Sequence, residues 1–322
     1  MKLDHVAIIG AGAWGTALAQ AATIAGRKVT LVGRDPAVIA ELNDLHRNTP
    51  HLPSAPLRLD ITAAMSLPET DFVILAVPAQ STRDALRTYD GRLAGKPVIL
   101  TAKGLEHGTL KRQSEVLAEL APGAIPYVLS GPSFAVDVAA GRPTAVTFAG
   151  DDPEQTGEVA AALAGPSFRL YAADDRVGVE LAGALKNVYA LGCGAVDGAG
   201  LGASARSALL ARGFAELTRL IVRMGGSAST LTGLAGLGDL TLSCTSTQSR
   251  NYRYGVSLGR GEPASSDLAE GVLTAPVAKA LADQLMIDAP LIDAINLLIG
   301  GNTSIADIVA GLMSRPLKRE ED

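Results

Sequence analysis

The chain has 322 residues, 48% of them hydrophobic and 4% aromatic, enough apolar content for a sizeable core and too much for long disorder. Its 28 basic and 33 acidic residues give a formal net charge of -5, which exerts no general pull on nucleic acid or anionic membranes, so an anionic ligand must be held by local groups. Two cysteines, Cys193 and Cys244, make neither a C-x-x-C motif nor a disulfide framework, as expected in a reducing compartment.

The N-terminus enters the apolar run "VAIIG" within five residues, leaving no room for a charged leader and apolar signal core. No window approaches the roughly 18 uninterrupted apolar residues of a membrane helix. A soluble, cytoplasmic protein is expected. The first half then alternates short β-rich runs with helical patterns. The runs are "HVAIIG", "KVTLVG", "DFVILAV", "PVILTA", "PYVLSG", "TAVTFAG" and "FRLYA", with "TALAQAATIAG" and "DPAVIAELNDL" among the helical segments between them. The first five are almost continuous in Val, Ile and Leu, as strands covered on both faces must be. Strand–helix–strand alternation predicts a mainly parallel, doubly wound sheet. The last two runs lie close together and are expected to form an antiparallel edge.

Beyond about residue 174 the β-rich runs stop. "GVELAGALKNVYALG", "SALLARGFAELTRLIVRMG", "APVAKALADQLM", "PLIDAINLLIG" and "SIADIVAGLM" are helical patterns; in the second, Leu210, Phe214, Leu217, Ile221 and Met224 recur on one face. Two domains are expected, a dinucleotide-binding domain over residues 1–176 and an all-α substrate and catalytic domain over 177–322.

"VAIIGAGAWGTALAQ" holds G-x-G-x-x-G as Gly10, Gly12 and Gly15, after a strand and at the opening of a helix, which is the context a Rossmann-like nucleotide site requires. Gly10 permits the turn, Gly12 admits a pyrophosphate close to the backbone, and Gly15 lets helix meet strand. The helix N-terminus then offers free N–H groups to the phosphates. At the end of the second strand, "VGRDP" offers both Arg34 and Asp35. Asp35 before Pro36 has the form of a helix N-cap. That leaves Arg34 to face the ribose and tips the cofactor from NAD toward NADP.

Lys103 and "SGPSFA" follow later strands, so Lys103, Gly131 and Ser133 are expected at the sheet edge where such folds bind ligands. In the second half, "GLAGLGDLTLSCTSTQSRNYRYG" carries Asp239 and, ten residues on, Ser249, Arg250 and Asn251. A guanidinium beside hydroxyl and amide groups suits a phosphate monoester; an exposed arginine at a turn fits the pattern equally well. His5, His46, His51 and His107 lack metal-ligand spacing, and no metal is expected. Lys186 with Asn187 sits in the apolar "GALKNVYAL", where an unpaired ammonium is costly to bury. On pattern alone a snorkelling lysine whose head reaches water explains it better than catalysis does.

Taken together, "GAGAWGTALA", "TAKGLE", "SGPSFA", "GALKNVYALGCGAVDG", "GLGASARSALLARG", "GLAGLGDLTLSCTSTQSRN" and "LAEG" resemble the NAD(P)-dependent glycerol-3-phosphate dehydrogenase family of bacterial type, in family order from residue 10 to 271. The resemblance implies reversible reduction of dihydroxyacetone phosphate to sn-glycerol 3-phosphate, which supplies glycerophospholipid synthesis, by a homodimer. It implies that Lys186 is the catalytic acid/base. It further implies substrate contacts at Lys103, Gly131, Ser133, Asp239, Ser249, Arg250 and Asn251, with Lys186 itself touching the substrate; Asn187 is expected either to hydrogen-bond a substrate hydroxyl or to fix the lysine. Cofactor contacts are implied at Ala13, Trp14, Arg34, Lys103, Ala135, Arg250, Leu268 and Glu270, beside Gly10, Gly12 and Gly15. A lysine's free pKa of about 10.4 is high for proton exchange near neutrality; burial and the charge of Lys103 are expected to lower it, with Asp239 opposing them. The alternatives are a related 3-hydroxyacid or 6-phosphogluconate-type dehydrogenase, or a nucleotide-binding sensor without catalysis.

Overall fold

A computed structural model describes residues 1–322 except 59, 90, 264–268, 302 and 317–322. The strands are β1 (His5–Ile9), β2 (Lys28–Val32), β3 (Ile61–Ala64), β4 (Phe72–Leu75), β5 (Pro97–Leu100), β6 (Ile125–Ser130), β7 (Thr144–Ala149) and β8 (Phe168–Ala173). Between them run α1 (Ala13–Ile24), α2 (Pro36–Leu45), α3 (Thr82–Thr88), α4 (Gln113–Leu120), α5 (Ala135–Ala139) and α6 (Pro153–Leu163). The remainder is helical: α7 (Arg176–Gly198), α8 (Ala203–Arg223), α9 (Ala228–Leu231), a π-turn over Leu234–Gly238, α10 (Asp239–Thr245), α11 (Arg250–Gly259), α12 (Glu270–Gln284), α13 (Pro290–Gly300) and α14 (Ile305–Met313). None of the described helices is long and apolar enough to cross a membrane.

The chain forms two compact units. One comprises residues 1–184 with 224–239; the other comprises 185–223 with 240–322. The first unit is built on one eight-stranded sheet in the order β3-β2-β1-β4-β5-β6-β7-β8. Winding begins at β1, proceeds outward to β3, then returns to β4 on the other side of β1, so β1 and β4 flank the topological switch point where such sheets bind ligands. Alternate strand residues feed two cores. Val6, Ile8, Leu31, Phe72 and Ile74 pack with α1 and α2 on one face. Ala7, Ile9, Val32, Val73 and Leu75 pack with Leu86 of α3 and with Val116 and Leu117 of α4 on the other. Burial on both faces explains why the central strands read as unbroken apolar runs.

Two details of the sheet differ from the sequence expectation. The antiparallel pairing falls between β6 and β7, with Leu129 opposite Phe148, whereas β7 and β8 run parallel from Thr144–Phe168 to Ala149–Ala173. The cause is α6: a helix between two neighbouring strands carries the chain back to its starting end, which makes the pair parallel. The segment between β6 and β7 carries only the five-residue α5, and the chain returns beside β6 in the opposite direction. The second difference is β3, whose "ITAA" is too short and too poor in branched residues to announce an edge strand. The 224–239 segment joins the first unit partly through Asp175, whose Oδ2 accepts from Ser227 N at 2.8 Å and Thr230 Oγ1 at 2.6 Å.

In the second unit, α7 is buried through its central turns, and Leu185, Val188, Tyr189 and Leu191 are each at most 1% exposed. It meets α11 backbone to backbone: a Cβ on Gly194 would stand 2.0 Å from Tyr252 O, and one on Gly255 would stand 2.1 Å from Leu191 O. Glu216 of α8, 2% exposed, ties in α13 by accepting from Leu291 N at 2.8 Å and Ile292 N at 3.3 Å.

Candidate active site

The glycine loop closes the gap between β1 and α1. Gly10 adopts φ +114°, and a Cβ there would lie 2.5 Å from Ala76 O; a Cβ on Gly15 would lie 1.9 Å from Gly10 O. Both positions therefore demand glycine, one for its conformation and one for close approach. Gly12 is different. A Cβ there would meet nothing within 4 Å, so the loop faces open space at the N-terminus of α1, where no side chain caps the first amides. Those amides and the positive end of the helix suit a diphosphate, and the residues present fit a dinucleotide. Ala13 and Trp14 are half-buried in the first turn and pack against the sheet core.

At the end of β2, Asp35 accepts from Ala37 N at 2.9 Å and caps α2, with Pro36 in the first turn. The acid is thus engaged, as its sequence context foretold. Arg34 is exposed and makes no hydrogen bond or ion pair among the described residues. Its neighbour Gly33 abuts the glycine loop, since a Cβ there would stand 2.8 Å from the Ala11 Cβ. Ala135, half-buried, opens α5 and packs on the same core.

Four expected substrate residues meet in the first unit. Lys103 Nζ donates to Asp239 Oδ2 at 2.7 Å and to Gly131 O at 3.0 Å, and Ser133 Oγ donates to the same carbonyl at 3.0 Å. Asp239 is 1% exposed, so the ion pair lies largely out of water and acts at shorter screening than a surface pair. The loop that carries Lys103 is pinned by side chains the sequence did not single out. Gln113 Nε2 donates to Gly104 O at 2.8 Å, and Gln80 Nε2 donates to Leu105 O at 2.8 Å. Arg83 grips both oxygens of Glu106 at 2.7 and 2.9 Å, and its hydrogen bonds hold that carboxyl below the ordinary glutamate range.

The second unit holds Lys186, 4% exposed. Its Nζ donates to Ser243 Oγ at 2.6 Å. The amine is therefore not a snorkelling head in bulk water; it is buried and hydrogen-bonded. Ser243 was not expected, and the signal available for it was spacing: Asp239 and Ser243 are four residues apart, one turn of α10. Asn187, 5% exposed, follows on α7, and its backbone oxygen would lie 2.5 Å from a Cβ on Gly271.

The Ser249-Arg250-Asn251 element forms the start of α11. Ser249 Oγ accepts from Tyr252 N at 3.3 Å as the N-cap. Asn251 Oδ1 accepts from Gly271 N at 2.9 Å, which ties the first turn of α11 to the first turn of α12, where Glu270 stands. Arg250 is exposed and, among the described residues, has no hydrogen bond or ion pair. Leu268 lies outside the described residues. Both cysteines are buried and neither is in a disulfide, and no group of His, Cys, Asp and Glu among the described residues has the geometry to hold a metal ion.

Comparison with known proteins resolves what this arrangement belongs to. The family model for the N-terminus of NAD-dependent glycerol-3-phosphate dehydrogenase matches residues 5–156, and that for its C-terminus matches residues 175–310. The chain belongs to this family. It is 46% identical to the glycerol-3-phosphate dehydrogenase (NAD(P)+) of Caulobacter vibrioides, over 99% of this chain and 100% of that protein. Identity is 48% to the protein of the same name from Methylobacterium radiotolerans, over 98% of each. A crystal structure of glycerol-3-phosphate dehydrogenase from Coxiella burnetii superposes with a TM-score of 0.91 at 34% identity, covering 97% of this chain and 99% of that one. The Plasmodium falciparum glycerol-3-phosphate dehydrogenase structure, at 20% identity and TM-score 0.85 over 98% and 97%, shares the fold. The doubly wound sheet and the helical second half are thus those of the family.

Proposed function

We propose that the chain is an oxidoreductase that reversibly reduces dihydroxyacetone phosphate to sn-glycerol 3-phosphate with NAD(P)H, and that Lys186 is its general acid/base. Family membership supports the reaction. The observation that carries the lysine's role is its burial at 4% exposure with a hydroxyl at 2.6 Å. A side chain that exchanges a proton with the substrate oxygen must be held within about 2.6–3.2 Å of it and kept from exchanging with bulk water.

A nicotinamide cofactor held by the glycine loop would supply the hydride to the ketone carbon. As charge grows on the oxygen, Lys186 hands over its proton, and Ser243, both donor and acceptor, keeps the amine aimed. Asn187 hydrogen-bonds the hydroxyl end of the substrate. Lys103, held by Asp239 and by the Gly131 carbonyl, contributes positive charge near the reacting end, with Ser133 beside it. Arg250, Ser249 and Asn251 take the phosphate, the guanidinium binding two oxygens at once. The loop from Gly10 to Gly15, with Ala13 and Trp14, would hold the cofactor's diphosphate, and Ala135, Lys103, Arg250 and Glu270 would complete its contacts. Arg34 neutralises a ribose 2′-phosphate, which favours NADP over NAD. The protein works in the cytoplasm, in keeping with two cysteines that form no disulfide, and as the homodimer that the family resemblance implies. Its product feeds glycerophospholipid synthesis.

The test is the absorbance of the reduced-nicotinamide band with dihydroxyacetone phosphate, run with NADH and NADPH in parallel and repeated with unphosphorylated dihydroxyacetone. Oxidation with the phosphorylated ketone and far slower oxidation without the phosphate are expected. Equal rates for the two ketones would sink the anion-site assignment.

A further inference from the structure

A diphosphate seated on a glycine loop is held by backbone N–H groups, so its site depends on which way a few peptide planes face. The Ala11–Gly12 peptide is one of them. In a planar trans peptide, C=O and N–H point in opposite directions. A group that grips the Ala11 carbonyl from one side therefore aims the Gly12 N–H toward the other.

Asn48 is such a group. Its side chain is 0% exposed, and Nδ2 donates to Ala11 O at 2.9 Å and to Thr16 Oγ1 at 2.8 Å. The Ala11 carbonyl can only accept, which fixes the nitrogen of the amide toward the loop. Thr16, also 0% exposed, lies in the second turn of α1, so one amide straps the loop to the helix it opens. Asn48 is itself anchored. Its carbonyl accepts from Leu52 N at 2.7 Å and His51 N at 3.2 Å, and the next residue, Thr49, donates its N–H to Glu41 of α2 at 3.2 Å. The amide's Oδ1 has no hydrogen-bond partner among the described residues. A buried acceptor left unpaired costs stability, so the residue is poorly explained as a purely structural strap.

We propose that Asn48 is a positioning residue for the cofactor's diphosphate: by holding the Ala11 carbonyl it presents the Gly12 N–H to the open side of the loop. It acts through the backbone and touches neither the reacting carbon nor the nicotinamide. The inference rests on the NAD(P)-binding reading above and assigns a determinant of that site which lies more than thirty residues beyond the glycine fingerprint.

The test compares wild type, Asn48→Ala and Thr16→Val. The readouts are calorimetric binding of ADP-ribose, which carries the diphosphate without the nicotinamide, and steady-state kinetics. For Asn48→Ala, the ADP-ribose Kd and the KM for NADPH are expected to rise together by about tenfold, one lost charge-assisted contact's worth. The turnover number at saturating cofactor and the KM for dihydroxyacetone phosphate stay within about twofold of wild type, a split that a general loss of structure would not produce. Thr16→Val keeps volume and removes one of the two acceptors, so it tests the strap even if Asn48→Ala fails to fold; a smaller rise in ADP-ribose Kd is expected. Wild-type binding with unchanged Kd in the folded variants overturns the role of Asn48 and leaves the cofactor reading standing. A wild type that binds neither ADP-ribose nor NADPH overturns both.

Discussion

Lys186→Met is the most direct perturbation of the proposed chemistry. Methionine has the length and unbranched shape of lysine, and Ala182, Gly183 and Ala190 crowd the position little. The thioether therefore replaces the ammonium without a cavity. The substitution also takes the donated hydrogen bond from Ser243 Oγ, and leaving a buried group without its partner costs about 1–3 kcal/mol, so a modest fall in the thermal midpoint is expected. Turnover should fall by about 10²-fold or more, the usual worth of a positioned general acid, which corresponds to about 2.7 kcal/mol of transition-state stabilisation. The assay is cofactor oxidation at saturating dihydroxyacetone phosphate, alongside cofactor affinity and a melting curve on the same samples. Lys186→Ala gives a complementary arm, because the space it opens admits small primary amines, and these should restore part of the lost rate. A Lys186→Met protein that is folded, binds cofactor and turns over within about threefold of wild type would show that the proton comes from elsewhere.

Three further outcomes follow from the geometry described above. Arg250→Ala should raise the KM for dihydroxyacetone phosphate by about tenfold or more, with little change in melting temperature, since the guanidinium is exposed and unpaired among the described residues; an unchanged KM would move the phosphate elsewhere. Gly12→Ala should fold normally, because its methyl meets nothing within 4 Å, yet lose cofactor affinity, whereas Gly15→Ala should be strongly destabilised by a methyl 1.9 Å from Gly10 O; equal melting temperatures would contradict this. Burial pushes the Glu216 carboxyl from 4.5 up to about 7, so the unfolded chain gives up this proton at lower pH than the folded one, and folding stability falls as pH rises between those values. The loss amounts to about 3 kcal/mol above neutrality; urea denaturation at acid and alkaline pH should show that dependence in wild type and its flattening in Glu216→Gln, and parallel curves would refute it.

Most of the first unit was legible because its code is local. Apolar runs buried on both faces marked five of the strands, and Asp35-Pro36 announced α2 by its cap. The glycine fingerprint could be read for the same reason, since each glycine answers to a steric demand within a few residues. What escaped was decided at long range. Whether β7 turns antiparallel to β6 or to β8 depends on where α6 returns the chain, and nothing inside "TAVTFAG" records it. Asn48 grips Ala11 across 37 positions and belongs to no periodic pattern; Ser243 meets Lys186 across 57, and its spacing one turn from Asp239 does not by itself name that partner. Lys186 itself stood out as an exception to the apolar rule, but the pattern alone favoured a head in water. Its burial is a tertiary fact.

Buried polar groups in this chain divide by what they serve, and the division separates architecture from chemistry. Glu180 accepts from Ser114 N at 2.9 Å and from its hydroxyl at 2.6 Å, satisfying one amide in the first turn of α4. Glu216 does the same for Leu291 and Ile292 at the start of α13. Both acids complete helix N-termini, where orphan N–H groups and the helix dipole welcome a carboxylate, and burial pushes both carboxyls up. A raised acid is therefore no guide to the active site here. Asp239 and Lys103 instead engage each other, and Lys186 donates to a hydroxyl that can return or relay a hydrogen bond. Burying such charged groups carries a desolvation cost that their partners must offset. The physical case for a reactive site lies in that distinction: the acids whose carboxyls burial pushes up hold helix N-termini, while Lys103 engages Asp239 and Lys186 engages Ser243.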